Sequence, residues 1–192
     1  MTLDGRLEVQ IRLTYHGLSD NNGATTTGKE EPRPITFHTC AFSPVDGAFR
    51  VYRRTSPDQP SSETEEEWES FYGTGCRMGP WGDPDRPINV SQNLGTRFQT
   101  LFPGACWTNF WTMDADGDGL PEDPKPGEKF RYQFKGNTLD WWDWGTAEDH
   151  AETVVTIPAA GGGPIVDPED NGGRPKVVVP ASNIVEWVML DK

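Results

Sequence analysis

The 192-residue sequence has no apolar run approaching the roughly 18 residues of a spanning helix, and its opening Met1-Thr2-Leu3-Asp4-Gly5-Arg6 has neither a basic stretch nor an apolar core of a secretion signal. These absences argue against a transmembrane span and lead us to expect a soluble chain, cytoplasmic as it stands and secreted if it is a trimmed mature form. Positive charge is also scarce. Seventeen Lys and Arg face thirty Asp and Glu, a formal net charge of −13 that disfavours nucleic acid and anionic membranes as partners. No block of basic residues along the chain offsets this.

Cysteine is limited to Cys40, Cys76 and Cys106, an odd number at wide spacing. That is not a disulfide framework and lacks the CxxC spacing of a zinc site, so thiols in a reducing compartment are expected, with one bridge such as Cys76 to Cys106 open for a secreted chain. The sequon Asn89-Val90-Ser91 matters only in that secreted case. The three histidines, His16, His38 and His150, show neither HxH nor HExxH spacing. GxSxG, P-loop and GxGxxG patterns are missing too, so no recognisable nucleophile system is present.

Aliphatic residues are few as well, since Leu, Ile, Val and Phe make up fewer than one residue in five, which borders on a disordered composition. Eight Trp and four Tyr reverse that inference, because each aromatic side chain buries on the order of 150–250 Å². With 21 Gly and 17 Pro the chain is ill suited to long helices, and an all-β protein rich in turns is expected.

Patterning agrees. Leu7, Val9, Ile11, Leu13 and Tyr15 alternate with polar residues and predict a strand with one buried face. Further strands are expected at 35–42, 48–53, 88–90, 97–102, 106–113, 129–135, 151–157, 176–179 and 184–190, with Pro103-Gly104 as a turn. Residues 55–70 read as a solvated acidic loop with one helical turn near Glu65–Trp68. Nine or ten short strands, no repeat and no long linker imply a single domain over residues 1–192, an antiparallel β-sandwich or barrel with long acidic and Gly/Pro-rich loops.

Two segments carry candidate chemistry. Asp114-Ala115-Asp116-Gly117-Asp118-Gly119 matches the first half of a calcium loop, in which alternate carboxylates converge on one ion across a glycine turn. Asp114, Asp116 and Asp118 would give side-chain oxygens and Leu120 its carbonyl, with Glu122 or Asp123 completing the shell. Lys125 stands where an EF-hand has its bidentate Glu, and Pro121, Pro124 and Pro126 forbid the exiting helix, so a structural calcium of non-EF type is weighed against a plain polar hairpin tip. The second acidic loop, 166–175, could complete such a shell, or simply be a solvated turn.

The other segment, Leu139 to His150, holds Trp141, Trp142 and Trp144 among four acids and a histidine. Indole faces stack on sugars, flat rings and cations, so a ligand platform is one reading and an aromatic core plug the other. Asp143, Glu148 or His150 would serve as acid or base if the segment lined a catalytic pocket. Asp149 is expected to point away from His150, because neighbours on a strand face opposite sides, and a structural role for His150 is the plainer reading.

Phe98-Gln99-Thr100-Leu101-Phe102-Pro103-Gly104-Ala105, the stretch Lys125 to Gly136, the Asp140-Trp141-Trp142-Asp143-Trp144-Gly145 box and Asp167 to Pro180 resemble a family of filamentous-fungal β-sandwich proteins over most of residues 6–190. The strand, Pro-Gly-Glu, strand cadence is also similar to the immunoglobulin-like region of fungal deuterolysin-type metallopeptidases. The resemblance implies an immunoglobulin-like fold and supplies no reaction, since the peptidase zinc helix has no counterpart. The leading expectation is thus a non-enzymatic binding module for a small ligand or protein partner, with one structural calcium. The alternatives are a cofactor-free cyclase or isomerase using the Trp-rich segment, and a secreted carbohydrate-binding module.

Overall fold

The computed structural model describes residues 7–17, 33–44, 48–54, 68–71, 84–113, 120, 124–158 and 163–190. Among them are thirteen strands: β1 (Leu7–Thr14), β2 (Ile35–His38), β3 (Phe49–Arg54), β4 (Trp68–Phe71), β5 (Arg86–Asn89), β6 (Phe98–Leu101), β7 (Cys106–Met113), β8 (Lys129–Phe134), β9 (Asn137–Thr138), β10 (Trp142–Trp144), β11 (Val154–Ile157), β12 (Val178–Val179) and β13 (Val185–Val188). The protein is all-β, and every strand pairing is antiparallel. Sheet orders are β13-β8-β3-β4, β10-β2-β6 and the pairs β1-β7, β11-β5 and β12-β9. No helix of the described residues is long and apolar enough to cross a membrane.

The count exceeds the nine or ten expected because β4, β9 and β10 are too short or too mixed to carry a two-residue period of their own. Trp68, expected in a helical turn, opens β4 and pairs with Arg54. Conversely the strand expected at 35–42 ends at His38 and tightens into a 3-10 turn over Thr39–Phe42. In one straight strand residues 37 and 42 would face opposite sides, yet both belong to one core and their rings meet at 5.9 Å. The turn, closed by the Ser43 N–H donating to the Cys40 carbonyl at 2.8 Å, is what reconciles the two. The strand expected from Ala151 starts only at Val154, because residues 147–152 form a turn.

Two hydrophobic cores lie on either side of β2. The larger gathers Ile35, Phe37 and Phe42 with Phe49, Val51, Phe130, Tyr132 and Phe134 from the inner face of the four-stranded sheet, and Leu7, Val9, Ile11, Leu13, Trp107 and Trp111 from the β1-β7 pair pack against it. Phe49 sits edge-on to Trp111 at 4.8 Å and Phe42 to Trp107 at 5.2 Å, so aromatic area replaces the missing aliphatics. The smaller core contains Val90, Phe98, Trp141, Val155, Ile157 and Ile165. His38 turns to this second side, its ring 5.2 Å from Phe98. A strand buried on both faces thus separates the cores.

Candidate functional site

The Trp-rich segment feeds both cores. Trp141 is 1 % exposed and packs edge-on against Phe98 at 5.4 Å in the smaller core, while its neighbour Trp142 is 2 % exposed in the larger one. The Trp142 indole N–H donates to the Pro175 carbonyl at 2.9 Å and its backbone N–H to Asn171 Oδ1 at 3.0 Å. Of the two arrangements weighed for this segment, Trp141 and Trp142 take that of a plug, because consecutive residues of an extended chain point to opposite sides and both sides are protein. Trp144 is half-buried, with the Arg33 guanidinium 5.1 Å from its ring centroid.

The three acid–base candidates have different surroundings. Asp143 is engaged by the Arg174 guanidinium, Nε at 2.9 Å and Nη2 closer still, and also accepts from the Trp144 N–H. Glu148 is exposed at a turn. His150 is 3 % exposed, edge-on to Trp141 at 5.7 Å, with Nδ1 3.2 Å from the Thr153 hydroxyl. Asp149 turns instead to Thr146, whose backbone N–H at 2.7 Å, and then its hydroxyl, hold that carboxyl below the usual range. The cause is a turn rather than the strand alternation expected. The calcium candidates Asp114, Asp116, Asp118, Glu122 and Asp123 lie outside the described residues, and Leu120 packs against the larger core.

A different surface gathers what the sequence keeps apart. On β3 the buried Phe49 and Val51 alternate with Arg50, Tyr52 and Arg54, and on β8 the buried Phe130, Tyr132 and Phe134 alternate with Lys129, Arg131 and Gln133. Register sets Tyr52 opposite Arg131, Arg50 opposite Gln133 and Trp68 opposite Arg54. The outer face of this sheet therefore presents Arg50, Arg54, Lys129 and Arg131, with Lys135 just beyond β8, on a chain of net charge −13. The sequence expectation that basic groups are not clustered is corrected here. The cluster is built by strand pairing across some eighty residues, which no local run of charge reveals.

This face is also concave. Tyr52, Trp68, Arg131, Gln133, Lys135 and Ile184 line a groove of about 290 Å³. The Arg131 guanidinium lies 3.9 Å from the Trp68 ring centroid while its Nε donates to Glu186 at 2.5 Å, and Lys135 Nζ stands 5.4 Å from the Tyr52 ring. Stacking and the ion pair fix Arg131 before any ligand arrives, and a guanidinium offers five N–H donors in a planar fork. Such a groove can take up a carboxylate or phosphate while Trp68 and Tyr52 border the rest of the ligand. No protein family, curated protein or solved structure matches this chain.

Proposed function

We propose that the protein is a β-sandwich binding module whose ligand is a small organic anion, held in the groove on the outer face of the β13-β8-β3-β4 sheet. The observation that carries this reading is the concentration of cations on one face of an otherwise acidic molecule, beside two aromatic rings and a concavity. In this reading Arg131 receives the anionic group, Lys135 adds charge, and Trp68 and Tyr52 flank an apolar or aromatic portion. The acidic remainder of the molecule repels polyanions, which favours a small ligand over nucleic acid.

Calorimetric titration with aromatic carboxylates and phenyl phosphate, each beside its neutral amide or glycoside counterpart, tests the proposal. Anions are expected to bind at least tenfold tighter than their neutral counterparts, Arg131→Gln to remove that preference, and added salt to weaken binding, because exposed charges are screened within about 8–10 Å. Equal affinity for neutral compounds, or binding indifferent to Arg131→Gln, overturns it. The calcium reading of residues 114–123 stands beside it as a separate proposal, supported by the alternating carboxylates alone. Melting with EDTA and then millimolar calcium checks it, an upward shift that Asp116→Ala removes being the expected result.

A further inference from the structure

Where β2 ends, three potential metal donors meet. His38 is the last residue of β2, Cys40 lies on the 3-10 turn that follows, and Asp140 occupies the bend before β10. A ring nitrogen of His38, Sγ of Cys40 and a carboxylate oxygen of Asp140 all lie within 4.8 Å of one another. The arrangement is pinned by backbone: His38 N–H donates to the Trp141 carbonyl at 3.0 Å and Thr39 N–H to the Arg97 carbonyl at 2.8 Å.

The decisive detail is at Asp140. Its Oδ2 is 2.7 Å from His38 Nδ1 and accepts the Ile165 N–H at 2.7 Å. Its Oδ1 is buried with no hydrogen-bond partner among the described residues. A buried carboxyl oxygen left without a donor is costly, and a bound cation removes that cost. Cys40 and Asp140 also line a cavity of about 310 Å³ with Ala41, Asn137, Thr138 and Pro164, so an ion here has room for a further ligand.

We propose that His38, Cys40 and Asp140 bind a divalent transition-metal ion of the zinc class, with one coordination position open to this cavity. Thiolate and imidazole donors select zinc-like ions over calcium or magnesium, and three protein donors plus one open position is the arrangement of a site that takes an exogenous ligand. Ligand atoms around a tetrahedral zinc stand about 3.5 Å apart, so metal binding opens the 2.7 Å contact between His38 Nδ1 and Asp140 Oδ2 and draws on side-chain rotation within a cluster whose donors already lie within 4.8 Å of one another. Charge and protons balance: the Cys40 thiol gives one proton to solvent, the imidazole binds neutral, and the thiolate and carboxylate offset the two positive charges of the ion. Catalysis by a His-held thiol would leave Asp140 Oδ1 without a partner, which is why the metal reading is favoured.

The test is titration of the metal-free protein with cobalt(II), followed by absorbance. A sulfur-to-cobalt charge-transfer band saturating at one ion per chain is expected, and it should disappear in Cys40→Ser but persist in Cys76→Ser and Cys106→Ser. Asp140→Asn, nearly isosteric, should bind zinc at least tenfold more weakly in competition with a chromophoric chelator, and it stands as the second variant if Cys40→Ser fails to fold. Absence of the band, its survival in folded Cys40→Ser, its loss in Cys106→Ser, or unchanged affinity in Asp140→Asn overturns the proposal.

Discussion

At Cys106 the thiol lies on the water-facing side of β7, where antiparallel register sets it opposite Thr14. The Thr14 hydroxyl at 3.2 Å and the Arg12 Nη2 at 3.3 Å both favour the thiolate, and together they hold the Cys106 pKa below the ordinary thiol value. Alkylation by iodoacetamide, followed by mass spectrometry at neutral pH, should therefore mark Cys106 before Cys40. Arg12→Gln should slow the reaction at neutral pH and leave it unchanged in strong alkali, where every thiol is ionised. A rate at Cys106 equal to that of a free cysteine, unaltered by Arg12→Gln, contradicts the assignment. Asp149 gives the acid counterpart. Folding favours its ionised form, so its contribution is present above the ordinary carboxyl range and is lost as pH falls through the lowered folded value. Asp149→Ala should cost stability at neutral pH and progressively less in acid, as read by urea unfolding.

At the scale of elements, β2 is held by side-chain hydrogen bonds as well as by its ladder. Thr36 is fully buried, its hydroxyl 2.7 Å from that of Thr100 on β6 and donating to the Gly145 carbonyl at 2.9 Å, so one hydroxyl ties β2 to β6 and to the bend that follows β10. Thr36→Val keeps the shape and the β propensity but leaves a buried acceptor without its donor. A loss of about 1–3 kcal/mol in urea unfolding is expected, against nearly none if packing alone mattered. Gly145, just after β10, has φ of +114°, and a Cβ built there would stand 2.8 Å from Asp149 Cβ. Its N–H also donates to the Pro34 carbonyl at 2.9 Å, so the backbone cannot swing away without losing that bond. Gly145→Ala should destabilise the fold by about 1–3 kcal/mol, and a neutral result would show that the turn relaxes.

The whole molecule is organised by one shared partition. Ile35, Phe37 and Trp142 supply one core while Trp141 supplies the other, so neither core can loosen without disturbing the strand and the Trp pair between them. Trp142→Ala and Trp141→Ala should each cost about 3–5 kcal/mol and lower one common transition, with far-UV circular dichroism and Trp fluorescence coinciding. Two separated transitions would instead mean that the cores fold independently. Charge is divided at this scale too: the sequence as a whole has a formal net charge of −13, yet among the described residues the outer sheet face carries Arg50, Arg54, Lys129, Arg131 and Lys135 against Glu186.

Much of the secondary structure was legible because burial on one face imposes a period of two, and β1, β7 and β8 lie within a residue or two of their expected bounds. The all-β class followed from Gly, Pro and aromatic content, since these residues exclude long helices while supplying buried area. What the sequence left open was mutual position. It offered plug or platform for Trp141 and Trp142, and only the two cores decide for the plug. It showed His38 without a metal-type spacing, because Asp140 stands 102 positions away and is brought alongside by the β10-β2 pairing. Arg131 and Trp68 were likewise unremarkable in isolation, each in a different stretch of chain. Local periodicity is a property of neighbours along the chain, and it determines which faces are apolar; strand order and register are properties of the closed sheet, and they alone determine which distant side chains share a face, a groove or an ion.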